Sequence, residues 1–144
     1  MTGSRTPTLA ALLCLALVAL AGCGSSGGYA NTPRPPAPAN VTVAVTNSRV
    51  LVSPDRIGAG PVVLLVSNAS SRSRDVIVDG ASGGPACVSA PASTGPINPQ
   101  GTARVSVGLV RGACTVSVRD GGAQPARLTV GSERTSAQAD LLQP

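Results

Sequence analysis

From Asn40 onward, hydrophobic and polar residues alternate with a period of two. Val41, Val43 and Val45 interleave with Thr42, Ala44 and Thr46, which predicts a half-buried strand. Val50 to Ser53 predicts a short strand stopped by Pro54, and the wholly apolar Val62-Val63-Leu64-Leu65-Val66 predicts a central one. Val76-Ile77-Val78, Thr102 to Val110, Cys114 to Arg119 and Ala126 to Val130 continue the series. Turn signals separate them: Gly58-Ala59-Gly60-Pro61, Gly83-Gly84-Pro85, Asn98-Pro99-Gln100-Gly101, Arg111-Gly112 and Asp120-Gly121-Gly122. The Asn-Pro-Gln-Gly set reads as a type I turn, with Asn first, Pro second and Gly fourth. No segment of this region has helical periodicity, so the pattern predicts an all-β, antiparallel Greek-key β-sandwich.

Before Asn40 the pattern differs. Arg5 precedes an apolar run, Leu9 to Ala21, that is shorter than the roughly 20 residues a membrane-spanning helix needs. The run closes on Leu20-Ala21-Gly22-Cys23, which resembles the lipobox of bacterial lipoproteins. That resemblance implies a cleaved leader over residues 1–22 and a diacylglyceryl group on Cys23, whose two chains suffice for lasting attachment. Residues 23–39 are rich in Gly, Ser and Pro and read as a stalk. It would span about 20 to 25 Å as a coil and roughly 55 Å when extended. The domain itself is expected over residues 40–131, with a tail at 132–144 that either binds a partner or folds back over an edge strand. These features place the chain on the extracytoplasmic face of the cell membrane.

Composition adds three constraints. The net charge of +5 comes with eleven basic residues, all arginine, dispersed along the chain; losing Arg5 with the leader leaves +4. Dispersed charge favours solubility and contact with an envelope protein or cell-wall polymer, and without stacking aromatics it does not suit nucleic acid. The chain has no Phe or Trp, so its core must be built from Val, Leu and Ile. Of the four cysteines, Cys14 falls in the leader and Cys23 is the expected lipid site. Cys87 and Cys114 are then left to form a disulfide in an oxidising compartment.

The run Val41-Thr42-Val43, Ser53-Pro54-Asp55-Arg56-Ile57-Gly58-Ala59-Gly60-Pro61-Val62 and Val66-Ser67-Asn68 is similar to the opening half of cupredoxin-like domains. Arg74-Asp75-Val76-Ile77-Val78-Asp79, Ile97 to Thr102 and Gly112-Ala113-Cys114-Thr115-Val116 extend that resemblance. An immunoglobulin-like sandwich is the alternative. In copper-binding members the first histidine ligand follows the strand that ends in Asn, and the matching residue here is Arg74. Val118 stands at the cysteine-ligand position. The chain contains no histidine and its only methionine is Met1, so the resemblance implies a copper-free member with no cofactor.

Without histidine or lysine, conventional nucleophile and base arrangements are absent, and a non-enzymatic role is expected. Asp75 and Asp79 share a strand face but lie about 13 Å apart along it, too far for paired-carboxylate chemistry. Arg72 and Arg74 would point the same way from an extended segment, which makes them candidates for contact with an anion or partner. The expected function is that of a monomeric, membrane-anchored binding or structural module. The alternative is an accessory protein in envelope copper or redox traffic.

Overall fold

A computed structural model of the protein describes residues 35–136. The leader, Cys23, most of the stalk and the tail from residue 137 lie outside the described residues. Eight strands and no helix make up this region: β1 Ala39–Val45, β2 Val50–Ser53, β3 Arg56–Asn68, β4 Arg74–Gly80, β5 Ala92–Ile97, β6 Thr102–Leu109, β7 Gly112–Val118 and β8 Ala126–Glu133.

The strands form two layers. In sheet I the order is β2-β1-β3-β6, and in sheet II the first residues of β3 are followed by β8, β7, β4 and β5. β3 therefore belongs to both layers. Arg56–Ala59 runs parallel to β8, while Val62–Asn68 runs parallel to β1 and antiparallel to β6. Taken with the antiparallel ladders of β7 and β8, these registers turn the chain through a corner at Ala59-Gly60-Pro61. The corner is the turn that Gly58 to Pro61 signals in the sequence, but strand continues on both sides of it. Gly60 has a φ of 126°, a region that L side chains rarely adopt. A Cβ on it would lie 2.8 Å from Cγ of Pro36, so the bend also needs glycine for close approach. Because the chain changes sheets here, two pairings, β1 with β3 and β3 with β8, are parallel within an otherwise antiparallel sandwich.

Odd-numbered strands end at one pole, here called apical, and even-numbered strands leave from it. The corner, both ends of the described stretch and the Ala81–Pro91 loop lie at the opposite, basal pole. Arg134 is anchored there: its N–H donates to the Ala59 carbonyl at 3.1 Å, and its guanidinium donates to the carbonyls of Ala59 and Pro61. Ser132 and Glu133, which the sequence assigns to the tail, are thus part of β8.

Alternate residues face inward, and valine dominates the core. Val41, Val43, Val45, Val62, Leu64 and Val66 of sheet I and Val76, Val78, Val116, Val118, Leu128 and Val130 of sheet II are all buried. β5 is absent from the sequence-based strand list because Ala92-Ser93-Thr94-Gly95-Pro96-Ile97 has neither alternation nor β-branched density. As an edge strand paired, among the described residues, only with β4, it tolerates Pro96. Gln100 has a φ of 61°, and the Gly101 N–H donates to the Asn98 carbonyl at 2.9 Å. The turn is thus type II in character and not the expected type I, because positive φ at the third position defines that class.

The expected disulfide joins Cys87, in the basal loop, to Cys114 of β7, with a Cα separation of 5.3 Å and both residues fully buried. Its 27-residue separation corresponds to a loop-closure stabilisation of about 3.5 kcal/mol. Replacing both cysteines by alanine is expected to lower the unfolding free energy by about 3 to 4 kcal/mol. Urea denaturation checks this, and a loss below about 1 kcal/mol would show that the bridge does little to restrict the unfolded chain.

Candidate functional site

Four loops meet at the apical pole: Thr46–Arg49, Ala69–Ser73, Asn98–Gly101 and Arg119–Pro125. Asn68, at the end of β3, is 1 % exposed and uses all of its side-chain hydrogen-bonding capacity. Its Nδ2 donates to the carbonyls of Arg72 (2.7 Å) and Ile97 (2.8 Å). Its Oδ1 accepts from the N–H and the hydroxyl of Ser70 at 3.0 and 2.6 Å. Its backbone N–H donates to Gly101 and its carbonyl accepts from Gln100, which accounts for the left-handed conformation of that glutamine. One buried amide thus fixes two of the four loops. A third is tied on through Asn47, whose Oδ1 accepts from the N–H (2.9 Å) and hydroxyl (3.0 Å) of Ser71.

Arg74 lies beside this knot, 5 % exposed. Its Nη1 donates to Asp120 Oδ2 at 2.7 Å and to the Gly121 carbonyl at 3.3 Å, and its Nε donates to Ser70 Oγ at 3.3 Å. Asp120 is 53 % exposed, so the pair is a buried guanidinium capped by a carboxylate that is still hydrated. The Asp120-Gly121-Gly122 turn delivers it: both glycines are left-handed, with φ of 67° and 72°. Arg72 is exposed on the loop above. The two arginines therefore do not make the joint anion-binding fork expected from their spacing. Arg74 is in phase with the inward Val76 and Val78, and its Nε and Nη1 are already engaged. That phase was legible in the sequence; the role of Asp120, 46 residues away, was not.

Asp75 points to the outer face of sheet II. There it accepts from Ser93 Oγ and Arg119 Nε, both at 2.6 Å. Partial burial raises its pKa, but the Ser93 and Arg119 hydrogen bonds, the arginine's charge and the Gly95 N–H outweigh that and hold the carboxyl below its ordinary range. Asp79, on the same strand face, instead accepts from the Gly80 N–H at 2.7 Å, so the two carboxylates have separate structural partners.

The chain matches no protein-family model. It likewise matches no curated protein sequence. Among solved structures it is similar to reduced auracyanin from the photosynthetic bacterium Roseiflexus castenholzii, with 12% identity and a TM-score of 0.50, covering 66% of this chain and 98% of that one. It is also similar to Lac15 from a marine microbial metagenome, with 15% identity, a TM-score of 0.48 and coverage of 79% and 37%. A third likeness is to a heme-copper terminal oxidase, with 12% identity, a TM-score of 0.42 and coverage of 86% and 95%. At such identities the auracyanin likeness establishes fold alone, and the fold is a cupredoxin-like β-sandwich.

The copper centre that the sequence resemblance brings into question does not fit the residues here. Arg74 and Val118, at the positions matching family ligands, converge at the apical end of the β4–β7 ladder, where Val76 pairs with Val118. One is a cation already neutralised by Asp120 and the other is a core hydrocarbon. The two cysteines of the domain are consumed in the disulfide.

Replacing Asn68 by alanine strands buried carbonyls and the Ser70 N–H, and is expected to cost about 2 to 3 kcal/mol in urea denaturation. Ser71→Ala, at an exposed position, should stay within about 0.5 kcal/mol of wild type. The depressed pKa of Asp75 means that the unfolded chain takes up a proton first as pH falls. Its stabilisation is complete above the ordinary carboxylate range and is lost as pH drops through the folded value. Asp75→Asn should therefore be less stable at pH 7 and decline less steeply below about pH 4. Urea midpoints at neutral and acidic pH measure this, and parallel declines in the two proteins would refute it.

Proposed function

We propose that the chain is a non-catalytic interaction module of the cell envelope, held on the extracytoplasmic face of the membrane by a lipid on Cys23. The observation that carries this reading is the ion pair of buried Arg74 with the half-exposed Asp120, which occupies with protein charge the place where the fold family positions its first metal ligand. Removing a buried guanidinium to admit a soft cation would leave Asp120 unpaired and the knot around Asn68 and Ser70 open. What remains at this pole is a rigid set of short loops with Arg49, Arg72 and Gln100 exposed. Such a surface is suited to meeting an envelope protein or an anionic wall polymer.

The likeness to auracyanin favours a second reading, in which the module serves envelope copper or redox traffic by contacting a metal-carrying protein. In both readings the chain carries no copper of its own. Copper titration of the full chain, followed by visible absorption and calorimetry, is expected to show no stoichiometric site; one equivalent bound with thiolate-type absorption would overturn both. In the same preparations, Cys23→Ala should move from the detergent phase to the aqueous phase. Equal partitioning of variant and wild type would remove the lipid anchor from the proposal.

A further inference from the structure

Four segments end the sheets, and three of them carry features that block further pairing: the Arg56–Ala59 part of β3 is four residues long and shifts register against β8. β2 has four residues, and Gln124 bonds across to it through the Val50 N–H. β5 contains Pro96, is bulged against β4, and sends the Thr94 hydroxyl back to the Val76 N–H. β6 has none of these. It runs for eight residues, Thr102–Leu109, with no proline and no register shift, and among the described residues it pairs only with β3. Its inward residues Ala103, Val105 and Val107 are half-exposed, whereas their counterparts on β1 and β3 are buried. A Cβ added at Gly108 would meet nothing within 4 Å. The Asn68 N–H to Gly101 bond sets the phase of the β3–β6 ladder. In that phase the N–H and C=O groups of Thr102, Arg104, Ser106 and Gly108 face away from β3.

We propose that β6 is the pairing edge for a second copy of this chain, joined antiparallel about a two-fold axis at Val105 to make one continuous sheet from two copies of sheet I. The inference is independent of the metal question and departs from the monomer that the sequence suggests. Antiparallel partners must share a face, so only registers that pair like-facing residues are allowed. With Val105 on the axis, Thr102 pairs with Gly108 and Arg104 with Ser106, each twice by symmetry. All four outward-directed residues are then engaged, and the half-exposed Val105 and the Ala103/Val107 pairs are covered. Moving the axis to Arg104 would oppose two arginines and shorten the ladder; moving it to Ser106 would shorten it as well. Charge and length therefore select one register. The axis lies along the sheet normal, so two copies held in one membrane would lie with their strands parallel to it.

Sedimentation velocity of the full chain in detergent tests this. Wild type is expected to be dimeric at about 100 µM protein and to dissociate on dilution. Ser106→Pro removes an N–H that β3 does not use and should yield monomer with the wild-type melting temperature measured at high dilution. Ser106→Glu places a carboxylate opposite the partner's Arg104 and should tighten the dimer about 5-fold, whereas Ser106→Arg should loosen it by about the same factor. A wild-type chain that stays monomeric, or a dimer that is indifferent to the glutamate and arginine variants, overturns the proposal even if the proline variant fails to fold.

Discussion

The structure depends on one strand being shared between two sheets. At its basal end β3 turns through Gly60, and at its apical end it terminates in Asn68. The turn brings Pro36 and Arg134 against the same few backbone atoms, so the first and last described stretches of the domain are gathered at one point. The terminus supplies the amide around which two apical loops are built. A small core without aromatic rings has little excess burial to spare. Fixing both ends of the central strand, and bridging Cys87 to Cys114, restricts the chain where side-chain volume alone would specify it weakly.

Arg74 shows what a buried charge demands of the structure around it. A guanidinium buried without a partner would be strongly unfavourable, and Arg74 comes with a carboxylate, two left-handed glycines and a serine acceptor. Together these fill the end of the β4–β7 ladder with hydrogen bonds between protein groups. The pole is consequently stiff, and any recognition there has to come from exposed loop side chains and not from a cavity between the sheets.

Much of the scaffold was legible in the sequence because valine at period two leaves little ambiguity about strand or face. β1, β2 and the core of β3 follow directly from it, and the disulfide follows from having two cysteines left to pair. What was not legible depends on partners distant in the chain. β5 has no strand pattern of its own and exists because β4 offers an edge. Gln100 takes a left-handed conformation because Asn68, more than thirty residues earlier, needs its N–H. Arg74 reads as a surface arginine until its phase with Val76 and Val78 is noticed. Even then, the residue that neutralises it is set by topology and not by local spacing.

The basal position of Pro36 has a mechanical consequence. The chain enters β1 along the strand axis, and β1 pairs with β3 over its whole length and with β2 from Thr42 to Val45. Any force that pulls on the amino-terminal side while the domain is held elsewhere loads both ladders of β1 lengthwise. Hydrogen bonds loaded that way share the strain and must break together, whereas a strand peeled from its end would lose them one at a time. The domain is built to resist traction applied through Pro36.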